Sequence, residues 1–348
     1  MSHRKPRILG FRRGFVKRLG PVFKADTIAC FNVNLLLILI FFAISSILNG
    51  MTDYLKWPVE PDSQPTASWH HAGSNLCLDF HGDPANADLV VYSDGNHHMA
   101  LAEVVAAFQQ HHPQLNGLFY ATTPPSVLLN IVQQGQIQMG NLVLSHQPHV
   151  FISPEGILKK LVQFGKTPSY QAFMQSRGNV ILIRKSNPKS IQGIKDLLRD
   201  DVTLFISNPK TETASYEVYK DTLLDIAQHL NIEQAVKDKL DPAKSSLVYG
   251  ERIHHREVPQ ALFNGKADAA VVYYHLALRY SRIFPEEFSY VSLTGGEMEQ
   301  ETGNQQTTYF ISTMNESGQY GQSFVDFCLS DEVTEIYQRH GLTRPTPS

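Results

Sequence analysis

ADLVVYSDGNHHMALAEVVAAFQQHHP, residues 87–113, places the chain in the α/β class. Leu89–Tyr92 is an unbroken apolar run that stops at Ser93, Asp94 and Gly95. A short run closed by turn residues predicts a strand buried on both faces. Beyond the turn, Leu101, Val104, Val105 and Phe108 recur at helical spacing until Pro113 ends the pattern. The unit repeats at once: NGLFYATT (116–123) reads as a strand and PSVLLNIVQQG (125–135) as a helix. Pro125 suits the first turn of that helix and Gly135 its exit. Further strands are expected in GNVILIRKSNP (178–188), VTLFISNP (202–209), ADAAVVYY (267–274) and FSYVSL, with a long helix in SYEVYKDTLLDIAQHL (215–230). The last segment, GQSFVDFCLSDEVTEIYQRHGL (321–342), reads as one or two helices packing back on the body. Repeated strand–helix units predict an α/β fold with mainly parallel sheets, and no short repeat points to a solenoid.

The chain has 348 residues, enough for two domains, with 42% hydrophobic and 18% charged residues. Its net charge of -3 hides an asymmetry. Residues 1–24 hold eight Lys and Arg and no acid, so the remainder has 22 basic against 33 acidic residues, a net of -11. A body so acidic is a poor binder of nucleic acid, which needs clustered Lys and Arg. The basic leader precedes TIACFNVNLLLILIFFAISSIL (27–48), uncharged and long enough to span a bilayer. Positive charge on its N-terminal side predicts a cytoplasmic N-terminus and a body outside. No cleavage site stands out, so an uncleaved signal anchor is favoured over a signal peptide. Residues 51–75 are rich in Pro, Ser and Asp without periodicity and read as a linker. Cys77 and Cys328 are either one disulfide or two separate buried thiols.

In α/β sheets, ligands sit beyond the carboxyl ends of parallel strands, near helix N-termini. Five strand-end stretches qualify: Ser93–Met99, Tyr120–Ser126, Ser207–Ser215, the run ERIHHRE at 251–257, and Tyr273–Tyr274. Their enrichment in Asn, Thr, Ser, His and Tyr favours a shared cleft. The chain contains no Gly-x-Ser-x-Gly elbow, Walker loop, GxGxxG or HExxH motif, so no enzyme class is indicated and no cofactor is expected. The pairs His97–His98 and His254–His255 are badly spaced for one metal within a helix. One histidine from each of two walls would still suit a soft metal, so a histidine-dependent metal receptor stays open as an alternative.

Taken in order, these blocks resemble the periplasmic substrate-binding proteins of the two-lobed type II fold, closest to the molybdate-type component of ABC importers. LVVYSDGNHHMALAEVVAAFQQHHP is similar to that family's opening strand, ligand turn and first helix. YATTPPSVLLNIVQQG resembles its second ligand turn, and NVILIRKSNPKSIQGIKDLLRDDVTLFISNPKTETASYEVYKDTL its lobe crossing and the start of lobe two. REVPQALFNGKADAAVVYYHLAL and FVDFCLSDEVTEIYQRHGLTRP complete the match over about residues 88–345. The resemblance implies a leader (1–26), a signal helix (27–48), a linker (49–84), lobe one (85–183 with 285–348) and lobe two (184–284). The chain would cross between lobes near Arg184–Pro188 and Leu276–Pro285. It also implies a small anionic solute, a molybdate-like oxyanion or a carboxylate, gripped at Asn96, Thr123, Ala214, Val258 and Tyr273. ABC permease docking at the outer face of the membrane follows from the same resemblance. The sequence departs from the family where Asn96 replaces a serine, where TTPPS removes backbone donors, and where IHHRE has no ordinary counterpart. In this divergent branch His97, His255 and Arg256 are expected in the cleft wall, Arg256 pairing with the anionic group and His254 or His255 tuning that charge with pH; a plain surface pair of Arg256 with Glu257 is the alternative. A membrane-anchored sensor is a further alternative.

Overall fold

The computed structural model describes Leu55 and residues 79–139, 142–251, 253–296 and 301–345. The leader, the expected membrane helix, most of the linker and Cys77 lie outside the described residues. Among the described residues no helix is long and apolar enough to cross a membrane.

Two sheets organise the body. The first is built from β1 (Asp79–His81), β2 (Leu89–Ser93), β3 (Leu118–Thr122), a hairpin pair β4 (Ile137–Met139) and β5 (Leu142–Leu144) beside it, β6 (Val150–Pro154) and β7 (Gln171–Ser176). Helices α1 (His98–His111), α2 (Pro125–Gln134) and α3 (Glu155–Gln163) connect these strands, and a 3-10 turn (Gly95–His97) precedes α1. The second sheet takes β8 (Asn179–Arg184), β9 (Leu204–Ile206), β10 (Leu247–Tyr249), β11 (Ala269–Tyr273) and β12 (Phe288–Val291). Around it lie α4 (Ile194–Leu197), α5 (Thr213–His229), α6 (Glu233–Lys239), α7 (His254–Phe263) and α8 (Tyr274–Ile283). The chain then returns to the first sheet with β13 (Thr308–Thr313), α9 (Gly321–Cys328), α10 (Asp331–Arg339) and β14 (Leu342–Thr343). Strand order is β1-β3-β2-β6-β13-β7-β14 in the first sheet and β10-β9-β11-β8-β12 in the second.

The opening strand behaves as its composition requires. Leu89 and Val91 enter a core with α1, α9 and α10, while Val90 and Tyr92 enter a separate core with α2 and α3. Alternate residues point to opposite faces, and both faces are covered, so Leu89 to Tyr92 form an unbroken apolar run. Leu101, Val104, Val105 and Phe108 are all buried on α1. Pro125 opens α2, and Gly135 closes it at φ 75°, a left-handed exit that glycine adopts without strain. The second sheet has its own core, which Met99 of α1 also joins from the first lobe. Leu55 packs on that second core, its N–H donating to Gln260 Oε1 on α7 at 3.0 Å.

The sheets are mixed rather than mainly parallel, which corrects the sequence-based expectation. β2 runs parallel to β3 and β6, and β9 parallel to β10 and β11. β8 is antiparallel to β11 and β12, and β13 antiparallel to β6 and β7. Apart from the edge strands β1 and β14 and the β4–β5 hairpin, the antiparallel pairs involve strands entered or left at a passage between sheets, where no crossover helix returns the chain to its starting edge. The passages also differ from those expected near Arg184–Pro188 and Leu276–Pro285. One is Arg177–Gly178, between β7 and β8; the other lies between β12 and β13. β8 and β12 therefore belong to the second sheet, and Gly178, at φ 97°, turns the chain into it.

The two passages lie side by side and are clamped together. Asn304 Oδ1 accepts from the N–H of Asn179 at 2.7 Å, and Asn304 Nδ2 donates to the Asn179 carbonyl at 2.9 Å and to Glu301 Oε2 at 2.8 Å. Asn179 Nδ2 donates to Thr222 Oγ1 at 2.8 Å and to the Gln305 carbonyl at 3.1 Å. Ser176 and Thr307 exchange two more bonds, Ser176 N–H to the Thr307 carbonyl at 2.9 Å and Thr307 N–H to Ser176 Oγ at 2.8 Å. Cys328 is a buried thiol without a disulfide, raised above the usual thiol range by burial. Replacing Asn304 by Ala strands the Asn179 backbone and Glu301, and should cost about 2–3 kcal/mol. The expected readout is a lower urea midpoint at an unchanged slope.

Candidate functional site

The seam between the lobes gathers most of the strand-end residues. On the first lobe, Asp94 caps the 3-10 turn, its Oδ1 accepting from the N–H of Asn96 at 2.7 Å. His97 follows and is fully buried. The Ser93 hydroxyl donates to the Asp94 carbonyl, so His97 Nε2 donates to Ser93 Oγ at 3.2 Å and Nδ1 accepts from Tyr337 OH at 2.8 Å. The His97 ring packs against Tyr309 at 4.8 Å. Both nitrogens are committed to the first lobe's core. His98 is likewise bonded locally, Nδ1 to the Gly95 carbonyl at 2.9 Å. Thr123 is buried and its N–H donates to the Ser93 carbonyl at 3.2 Å.

On the second lobe, α8 packs against the 3-10 turn and brings His275 beside the Asn96 backbone. Tyr273 is buried, hydrogen-bonded to Thr307 Oγ1 at 3.2 Å, and its ring stacks on His275 at 5.3 Å. Tyr219 of α5 continues the row, 5.2 Å from Tyr273 and 5.5 Å from His254. His254 stacks on Phe205, and its N–H donates to Glu212 Oε2 at 2.8 Å. His255 and half-buried Arg256 open α7. Ala214 is exposed on the first turn of α5, and Val258 is buried in the second core.

Pro259 inside α7 explains one contact. It has no N–H to give the carbonyl four residues back, that of His255. The Tyr280 hydroxyl donates to that carbonyl instead. Asp94, Glu212, His275, Tyr309 and Tyr280 were not named as site residues from sequence, although Asp94 and Glu212 stand in the turns singled out there. Their signal was position at a strand end; nothing in their spacing announced burial.

Ser207 Oγ, His255 Nε2 and Tyr309 OH are buried at this seam without a hydrogen-bond partner, while the His254 and His275 rings lie against the Phe205 and Asn96 backbones. Burial holds the histidines far below their usual value, His97, His254 and His275 at about 3 and His255 at about 4. It raises Asp94 to about 6 and Glu212 to about 7. Among the described residues no three His, Cys, Asp or Glu side chains are placed to hold a metal ion. A cavity of about 210 Å³ lies elsewhere, against Val90, His146, His149 and Glu316.

Residues 89–343 match the family described as bacterial extracellular solute-binding protein. No curated protein sequence matches the chain. Among solved structures, the chain is similar to the sulfate-binding protein SubI from Mycobacterium tuberculosis (16% identity, 74% of this chain and 87% of that one, TM-score 0.55). It is also similar to the periplasmic molybdate-binding protein of Azotobacter vinelandii (14%, 74% and 100%, TM-score 0.53). Iron-bound HitA from Pseudomonas aeruginosa is a third (12%, 72% and 83%, TM-score 0.50). At these identities the likeness establishes the fold.

Two outcomes follow from the buried groups. The four lowered histidines contribute stability that is present above their unfolded value near 6.5 and lost as pH falls toward 4. Asp94 and Glu212 have the opposite sign, their contribution present below about pH 4 and lost as pH rises through 6–7. Between pH 4.5 and 6 the histidines outnumber the carboxylates, so the net slope destabilises the fold on acidification, on the order of 1–3 kcal/mol per pH unit. Urea titrations at pH 7.5, 6.0 and 5.0 measure it, and His275→Gln should flatten the slope. Tyr280→Phe leaves the His255 carbonyl unpaired and should cost about 1–3 kcal/mol in the same assay.

Proposed function

Because the chain belongs to the bacterial extracellular solute-binding proteins, we propose that its lobes close over a small anionic solute, a carboxylate foremost, and present it to an ABC permease. The observation that supports this reading is the set of buried polar atoms without partners, contributed by both lobes: Tyr309 from the first, and Ser207 and His255 from the second. Native proteins rarely leave such groups unsatisfied, and a solute held between the lobes would bond to them. Arg256, at the start of α7 beside His255, would take the anionic group in a bidentate pair. Tyr273, Thr123 and the Asn96 side chain would complete the walls, and rotation of the lobes about the paired passages would open and shut them. A helix at 27–48 would hold this receptor at the outer face of the membrane with its N-terminus inside.

The test is thermal shift of the full chain against carboxylates, oxyanions and divalent metals. A ligand at a hundred times its dissociation constant adds about 2.7 kcal/mol. A carboxylate is expected to raise the melting temperature of the native chain, and Arg256→Ala should weaken that ligand at least about tenfold. A zinc shift abolished by His255→Ala would replace this reading with a metal receptor.

A further inference from the structure

Helix α8 packs into the second lobe and also touches the first along one side. Leu276, Ala277 and Tyr280 face the second core, and the helix lies on β8, β11 and β12. It begins at the first passage, where the Tyr274 N–H donates to the Gly178 carbonyl at 3.0 Å. Its other side carries Tyr274, Leu278 and Arg282, spaced four apart and so aligned on one face. All three meet the first lobe. Tyr274 and Leu278 close on Gly341, where an added Cβ would stand 2.9 Å from Tyr274 Cε1 and 3.1 Å from Leu278 Cδ2. Gly341 also takes φ 84°, so backbone and space both demand glycine there. Arg282 Nη1 donates to the Arg339 carbonyl at 2.7 Å.

The Arg339 carbonyl lies in the last turn of α10, where helix carbonyls have no later amide to receive and the helix dipole ends negative. Arg282 therefore supplies, from the other lobe, the cationic donor that a helix C-terminus favours. The socket is braced within the first lobe. Glu103 of α1 accepts from Arg339 Nη2 at 2.9 Å and pairs with His340 Nε2 at 2.7 Å. β14 follows directly and pairs with β7, which ties the notch at Gly341 to the strand running into the passage. Along α8, Arg282 stands about 12 Å from Tyr274 at about 1.5 Å per residue.

The lobes are shut in this arrangement: His97 and Tyr309 of the first and Tyr273 and His275 of the second are buried at the seam. α8 also lies against the 3-10 turn Gly95–His97. Already in contact with the first lobe, α8 can part from it but cannot approach it further. An opening of about 20° would carry a point about 12 Å from the passages by about 4 Å, more than a hydrogen bond tolerates. Resting on the receptor reading above, in which the lobes open and shut, we propose that Arg282 is their latch. It caps α10 across the seam, and each opening of the lobes uncaps that helix.

Hydrogen exchange of the full chain, read by mass spectrometry with no solute present, tests the latch. Arg282 is exposed, so Arg282→Ala disturbs neither core. The amides of residues 95–97, against which α8 lies, are expected to exchange about two- to fivefold faster in Arg282→Ala, the worth of one cation at a helix end. Those of β9, buried in the second sheet, should keep their native rate. Arg282→Lys retains a cationic donor and should stay within about twofold of native. Unchanged exchange at 95–97, or equal acceleration in β9, overturns the latch and leaves the receptor reading intact. Because no solute enters the measurement, silence of the thermal-shift screen would overturn the receptor reading, while exchange alone decides whether the lobes are latched.

Discussion

The whole body depends on the clamp between the two passages. One side-chain amide, that of Asn304, satisfies both the N–H and the carbonyl of Asn179, and Asn179 reaches in turn to Thr222 and Gln305. The bonds of Asn179 to Asn304 and Gln305 join stretches of chain more than a hundred residues apart in sequence. Each sheet builds its own core, so without the clamp the lobes would be two small domains on paired strings. With it, strand β8 starts in register, and the turn at Gly178 is held at a positive φ against the Asn304 side chain. The helix starts of both lobes then face each other because the strands preceding them are placed from this one point.

Polar burial at the seam follows a consistent economy. Tyr280 supplies the hydrogen that Pro259 cannot give, Ser93 and Tyr337 take both nitrogens of His97, and Asp94 and Glu212 absorb free amides at helix starts. The atoms left over are therefore a short set, not general untidiness. Keeping the histidines neutral at this density requires that water stay out and that no anion of the chain sit against them. Asp94 and Glu212 respect that by bonding to backbone rather than to imidazole.

Much of this architecture was legible in the residues. LVVY announced a strand covered on both faces, the spacing of Leu101 to Phe108 gave the buried side of α1, and Pro125 with Gly135 bracketed α2. Strand direction was not legible, because an apolar run looks the same whichever way its neighbour travels. For the same reason NVILIR gave no sign that it belongs to the second sheet; only the glycine before it marks the change. Spacing identified turns that the fold brings to one seam, but not the partners their side chains take there. His97 sits where a ligand contact is expected, yet Tyr337, 240 residues later, occupies its ring nitrogen. Contacts of that range lie beyond any local pattern.

Leu55 has a mechanical meaning. Its side chain and its N–H are fastened to the second lobe, whereas β1, the next described segment, is an edge strand of the first. A pull transmitted along the chain from its N-terminal side reaches α7 before it reaches the first sheet. The load path thus enters the body on α7, the helix that begins with His254, His255 and Arg256, and any tension from that side is borne first by the second core.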